Sequence, residues 1–259
     1  MKKTFIIIFL SIVSLTSTFA QADWSVSDGA LLDGKNIIKV NLTSLPLRNY
    51  TFYGERIINQ HMSVSLGVGF IPQGRLPLVD NFTSVTEQGV EGDILNMEVS
   101  SFAVIPEVRF YTGSSGYGRG FYVAPYLKYE KFGLDKVSVT FTDNDGDDRQ
   151  IDLNGKLDTY SVGAMIGYQW LIGSRKNFVI DLSILGLHGG KSSGNMHGYY
   201  AIGEMTASEQ QDVKENIDDT LDDIPLIKYT TTVDEKNADV SISGPWAFFR
   251  IGLSVGYRF

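Results

Sequence analysis

Residues 246–259 read W-A-F-F-R-I-G-L-S-V-G-Y-R-F and end the chain. Counting back by twos from Phe259 gives Tyr257, Val255, Leu253, Ile251, Phe249 and Ala247, an apolar set. Between them stand Arg258, Gly256, Ser254, Gly252, Arg250 and Phe248, which are small or charged apart from the phenylalanine. Successive side chains of a strand point to opposite faces, so this stretch is a strand with one apolar side. A soluble sandwich would show the same alternation. It has no need of a terminal aromatic preceded by an apolar residue at every second position.

The same period of two recurs upstream. Residues 36–45 place Ile38, Val40 and Leu42 opposite Lys39, Asn41 and Thr43. Residues 49–58 set Tyr50 and Phe52 against Thr51, Tyr53 and Glu55. Residues 61–71 alternate Met62, Val64, Leu66, Val68 and Phe70 with Ser63, Ser65, Gly67 and Gly69. Further strands are expected at 98–111, from 121 past 130 and on to 142 with a return arm at 149–153, at 159–171 and at 178–188, where Leu185 and Leu187 blur the pattern. Pro106 and Pro125 fall on the apolar parity, where bulges would accommodate their missing N–H. With residues 246–259 this makes about eight spanning strands.

Connection lengths arrange them. The second, fourth and sixth connections (59–60, 113–120 and 174–177) are short; of the odd ones the third, fifth and seventh are long and the first, 46–48, is short. An even-stranded transmembrane barrel sorts its connections this way, with tight periplasmic turns and long extracellular loops. A sandwich has no reason to do so. The chain has 27 glycines, which suit a narrow barrel interior, and 13 tyrosines with 15 phenylalanines, which suit interface girdles.

The N-terminus agrees. Met1-Lys2-Lys3 precedes an apolar run at 5–15 and small residues, with cleavage expected after Ala20 or Ala22. Residues 1–20 read as a secretory signal peptide, leaving 21–259 as the barrel domain. The apolar run is too short for a helical anchor, which needs roughly 20 residues. With no cysteine, a lipidated N-terminal Cys, a disulfide framework and a Cys-based zinc site are excluded. A net charge of -8 argues against nucleic acid as a partner.

The inward parity carries the strand charges: Lys39, Glu55, Glu107, Arg109, Lys128, Glu130, Asp181 and Arg250, four acidic and four basic. Buried charges must be paired, so the balance predicts a closed lumen with an ion-pair network in which Glu55 and Glu107 face Arg109 and Arg250. Eight strands leave an interior just wide enough for side chains to fill.

On this pattern and its Tyr257-Arg258-Phe259 ending, the chain resembles the small OmpA/OmpX-type barrels of Gram-negative outer membranes. The resemblance implies an outer-membrane location with extracellular loops, and lipid and lipopolysaccharide as surroundings. It implies that Val255, Tyr257 and Phe259 are read by the barrel-assembly machinery. The peptidoglycan-binding domain of some OmpA-like proteins is not expected, because the chain ends at its last strand.

Chemistry is sparse. Residues 143–148, D-N-D-G-D-D, fail the helix-loop-helix calcium spacing: with Gly146 sixth, Phe141 stands first. They read as a hairpin tip. Val213, Ile217, Leu221 and Ile224 predict a short amphipathic helix over 207–224, within an acid-rich stretch at 189–245. His188, near Ser192 and Ser193, falls on the apolar parity and reads as an interface histidine, with no nucleophile motif beside it. No cofactor, metal or catalytic residue is expected. The expected role is structural or surface-interacting, in envelope integrity, adhesion or as a complex subunit with a surface or membrane protein. A narrow channel is the alternative, and a lipid-modifying enzyme a remote one.

Overall fold

The structure is a computed structural model that describes residues 34–75, 98–113, 116–142, 146–201, 203–222 and 226–259. The leader at 1–20, most of the third connection and the hairpin tip at 143–145 lie outside the described residues. In chain order the strands are β1 (Asn36–Asn41), β2 (Tyr50–Ile57), β3 (Met62–Arg75), β4 (Glu98–Tyr111), β5 (Gly120–Thr142), β6 (Asp148–Ile172) and β7 (Phe178–Tyr199). A helix α1 (Ala207–Asp222) and strands β8 (Lys228–Val233) and β9 (Asn237–Arg258) follow. The sheet is antiparallel, and β9 pairs with both β7 and β1, which closes a ring of eight strands. β8 stands outside that ring, paired to the upper part of β9.

Pairings followed from Val40 on β1 through Phe52, Val68, Val104, Tyr129, Tyr160 and Lys191 arrive at Pro245, ten residues from the Val255 that pairs with Val40. This stagger tilts the strands by about 40° to the ring axis, within the range of small barrels. The outward residues of the ring are apolar and exposed, among them Ile38, Phe52, Leu66, Leu127, Val162 and Ile251. The outward side of β9 from Phe249 to Phe259 covers roughly 25 Å along the axis at about 3.3 Å per residue.

The interior packs tyrosine against glycine. A Cβ on Gly67 would lie 2.5 Å from the Tyr53 ring, one on Gly167 2.4 Å from Tyr122, and one on Gly163 2.8 Å from Tyr126. Glycine on one strand therefore makes the space that a ring from its neighbour fills.

Several strand ends depart from the alternation pattern. β1 stops at Asn41 rather than 45 because the Asn41 side-chain oxygen accepts from the Thr43 amide (3.0 Å) and hydroxyl (2.7 Å), turning the chain into a single 3-10 turn, Leu45–Leu47. β3 runs on to Arg75, where the Arg48 guanidinium donates to the Gln73 and Arg75 carbonyls. The segments 149–153 and 159–171 are one strand, β6. β7 continues eleven residues past His188 to Tyr199, and β9 begins at Asn237, not Trp246. Pro106 and Pro125 face outward at positions of continuous register, not at bulges.

A real register shift lies elsewhere, between Ser183 and Gly186. One extra residue reverses the parity of the rest of β7. His188 therefore faces the lumen, 6% exposed, instead of the outer face expected from the sequence.

Above the ring, β5, β6, β7 and β9 continue as a tall wall. Helix α1 packs on its inner side, with Val213 and Ile217 against Phe141, Ile151, Leu153 and Val240. Thr206 and Glu209 cap the helix reciprocally: the Thr206 amide donates to the Glu209 carboxylate at 2.6 Å, and the Glu209 amide donates to the Thr206 hydroxyl at 3.5 Å. Among the described residues no helix is long and apolar enough to cross a membrane.

Candidate functional site in the barrel lumen

Six of the eight inward charges meet in the lower lumen. Lys39 on β1 donates to Glu55 on β2 (2.6 Å), to Asp181 on β7 (2.6 Å) and to Gln169 on β6 (2.9 Å). Its three protons are thereby used. Arg109 on β4 donates to Glu107 through Nε (3.1 Å) and Nη2 (2.9 Å), and to Asp181 through Nη1 (2.6 Å). It lies 3.5 Å from Glu55, and its guanidinium sits 4.5 Å from the centre of the Tyr122 ring.

Of the remaining carboxylate oxygens, two accept from hydroxyls, and Glu107 Oε1, which accepts no hydrogen bond, meets Arg250 as an ion pair. Glu55 Oε1 accepts from the Tyr111 (2.7 Å) and Ser63 (2.6 Å) hydroxyls, and Asp181 Oδ1 accepts from Tyr122 (2.8 Å). Arg250 on β9 reaches Glu107 (2.6 Å) and donates to the Tyr53 hydroxyl (3.0 Å). Three cations thus face three anions, all 3% exposed or less except Arg250.

Lys128 and Glu130 pair with each other on β5 (2.5 Å). They lie above the six, since β5 rises away from Tyr122 and Tyr126. Gln169, Tyr111 and Tyr122 are members of the lower layer that alternation did not single out. Their signal was weak, an inward polar or aromatic residue without formal charge. A closed and charge-balanced layer of this kind holds the wall together and leaves no ligand position. The carboxylates are spoken for by cations and hydroxyls, not presented to a substrate.

Higher in the lumen the pairing is incomplete. His188 Nδ1 lies 3.0 Å from the Tyr126 hydroxyl, but its Nε2 has no partner, nor do Arg250 Nη1 and Ser161 Oγ. All three atoms are buried. The Arg250 guanidinium lies 5.4 Å from the Tyr53 ring centre and 5.2 Å from that of Tyr126, so these rings floor the upper lumen. Among the described residues no cluster of His, Asp and Glu has metal-site geometry.

On the outer side of the tall wall, a polar groove of 630 Å³ is lined by Asp135, Lys156, Asp158, Asn195, Lys228 and Ser241 among others. At the seam, Tyr257 and Phe259 are outward and exposed and Val255 is half-buried. Tyr257 packs edge-on against Phe178 (5.9 Å) and accepts a hydrogen bond from Asn177 (2.9 Å).

With this geometry in view, comparison with known families gives one finding. Residues 6–227 match the model described as "Protein of unknown function (DUF3575)". The chain belongs to the DUF3575 family. The match stops before β8 and β9, so the strand that closes this DUF3575 ring lies outside the matched residues. No curated protein matches the chain.

Proposed function

We propose that the protein is an integral outer-membrane β-barrel of the OmpA/OmpX type, sealed across its lower lumen and without catalytic activity. On this reading it serves a structural or surface-interaction role in the cell envelope. The observation that carries the reading is the two-sidedness of the ring. Its outer parity exposes large apolar side chains all round, while its inner parity buries a neutral ion-pair layer. Water penalises such an exterior, because exposed apolar patches of this extent call for a partner surface. Lipid is the partner that fits a closed circumference, and the roughly 25 Å height matches the apolar band of such barrels. Short connections at one end and a tall, acid-rich wall at the other support an orientation with the turns in the periplasm and α1 outside. The outward Val255, Tyr257 and Phe259 then serve as the signal to the barrel-assembly machinery, and lipid and lipopolysaccharide form the surroundings. The polar groove on the tall wall is the surface best shaped for a protein partner.

The test is an outward charge. Leu66 is 49% exposed on β3, near the middle of the band. In a soluble ring, Leu66→Arg would be nearly neutral. In a bilayer it is expected to cost about 2–4 kcal/mol of unfolding free energy, read by urea titration of the protein refolded into vesicles. Equal stability of variant and parent in vesicles would overturn the membrane reading.

A further inference from the structure

The wall of the ring has one low side. β1 ends at Asn41 and pairs with β9 only as far as Ser254, with one further backbone bond from Leu42 to Leu253. β8 covers β9 from Ser243 upward. Between these limits, among the described residues, the edge of β9 from Pro245 to Ile251 has no strand beside it. The next wall element beyond the β1–β2 turn is the upper part of β3. The slot is therefore bounded by β9 and β3, roughly three strand spacings or about 14 Å apart.

A bare strand edge invites another strand, but this one is poorly made for that. Pro245 lacks an N–H, a feature of edges protected against pairing. What the slot offers instead is a run of aromatic rings leading inward. Phe249 faces outward, in line with Tyr160 and Phe102 at the top of the apolar band, and is 56% exposed. Its ring stacks on that of Phe248 across the open edge (5.6 Å, 8° between planes). Phe248 stacks on Trp246 (6.4 Å), and Trp246 meets Phe132 (5.8 Å). Phe248 pairs with His188 and so has lumen parity, yet 61% of its surface is exposed. The described protein does not fill the lumen beside it.

At the inner end of this run are the unpartnered atoms Arg250 Nη1, His188 Nε2 and Ser161 Oγ, with Lys128 on the neighbouring strand. Arg250 Nη1 is a donor, and the other two can donate. Apolar rings along the path and free donors at its end suit a molecule with an acyl chain and a hydrogen-bond-accepting head.

We infer that the slot beside β9 admits a single-chain amphiphile, of the fatty-acid class, from the outer leaflet into the upper lumen. Its chain lies along Phe249, Phe248 and Trp246, and its carboxylate reaches the donors of Arg250, His188 and Lys128. This inference rests on the membrane reading.

The chain has three tryptophans, at 24, 170 and 246, which makes the test direct. Two single-tryptophan forms of the full chain are reconstituted in phosphatidylcholine vesicles. Trp24→Phe with Trp170→Phe leaves Trp246 as reporter, and Trp24→Phe with Trp246→Phe leaves Trp170. Dibromostearic acid is then titrated in, and quenching is read. The expected result is saturable quenching of Trp246, half complete at an acid mole fraction about tenfold below that for Trp170, as one hydrogen bond to a charged group would give. Lys128→Met and His188→Leu, each in the Trp246 form, are expected to move its curve onto that of Trp170. Coincident curves in the parent forms would overturn the inference and leave the membrane reading standing. So would a Trp246 that no amount of acid quenches, the sign of a slot closed to the acid. A control in vesicles made wholly of dibrominated phosphatidylcholine separates the two ideas. There Trp170, outward on β6, must be quenched in the form that keeps it, and a Trp170 left bright would sink the membrane reading itself.

Discussion

Arg109 faces three carboxylates, Glu55, Glu107 and Asp181, from a position 1% exposed. Its removal would leave buried anions with only Lys39 and Arg250 to answer them. Breaking a buried pair from one side costs about 3–5 kcal/mol, so Arg109→Leu is expected to lose that much in a denaturant titration. Arg250→Leu, which deprives Glu107 alone and lies partly open to solvent, is expected to lose less but still lower the melting temperature. Arg109→Lys is expected to rescue little, because an ammonium cannot bridge Glu107 and Asp181 with the planar fork that a guanidinium supplies. The glycines give a second check at this scale. Gly67→Ala drives a methyl into the Tyr53 ring and is expected to cost about 1–3 kcal/mol. In the double variant with Tyr53→Ala the added cost of the methyl should vanish. Full additivity in that cycle would mean that ring and glycine do not share the space.

Helix α1 carries the prediction that belongs to elements. It is held to the tall wall by Val213 and Ile217, and by polar ties at its far end. Ile217→Ala is expected to weaken the docking by about 2–5 kcal/mol, seen as faster amide exchange in α1 with the ring strands unaffected. Its polar ties titrate. Burial works to raise the Asp218 carboxyl, but Lys214 on the same helix and the Thr231 hydroxyl on β8 together outweigh it and hold the group below the ordinary carboxylate range. The Tyr229 hydroxyl donates to Asp222 (2.5 Å), which pushes its pKa up to about 12. A lowered acid stabilises above its unfolded pKa and is lost as pH falls through the folded one. A raised phenol stabilises below its unfolded pKa and is lost as pH rises toward about 12. Exchange protection of α1 should therefore be flat from pH 5 to 9, and fall below about pH 4 and above about pH 10. The same elements show what alternation can and cannot convey. β4 was legible to the residue because its outer parity is apolar from Phe102 to Phe110. The upper halves of β6, β7 and β9 carry Asn154, Lys156, Asp158, Ser193 and Ser241 on the outer parity, so they read as loop although they are ladder. β8, K-Y-T-T-T-V, has too little apolar contrast to stand out. His188 was misplaced because one bulged residue inverts every parity beyond it, and the blurred alternation at Leu185 and Leu187 is the trace of that bulge in the sequence. The eight lumen charges were legible because a charge is conspicuous among glycine and serine. Their division into a layer of six and a separate pair depends on stagger between strands, which a single sequence does not carry.

At the scale of the molecule, eight strands staggered by ten residues enclose a lumen that two successive layers cross. The lower is the ion-pair layer, and the upper is the floor of Tyr53, Ile105, Tyr126 and Met165, each 5% exposed or less. A conducting path would have to breach both. Refolded protein in planar bilayers is therefore expected to give no steady stepwise current at neutral pH, and regular steps in the parent protein would show that the lumen is open. Because buried pairs are weakly screened, raising salt from low to molar concentration should not open it. Charge removal should. Lys39→Ala with Arg109→Ala leaves Glu55, Glu107 and Asp181 facing Arg250 alone. Unpaired anions in a narrow space draw in water and cations, since an uncompensated buried charge is too costly to keep dry. If this double variant still folds into the ring, judged by an unchanged heat-modifiable gel shift, its currents should appear and favour cations over anions. Silence from a correctly folded double variant would move the seal up to the tyrosine floor, and Tyr53→Ala added to that variant would then be the change that opens the path. An anion preference in either variant would contradict the placement of the three carboxylates around one lumen.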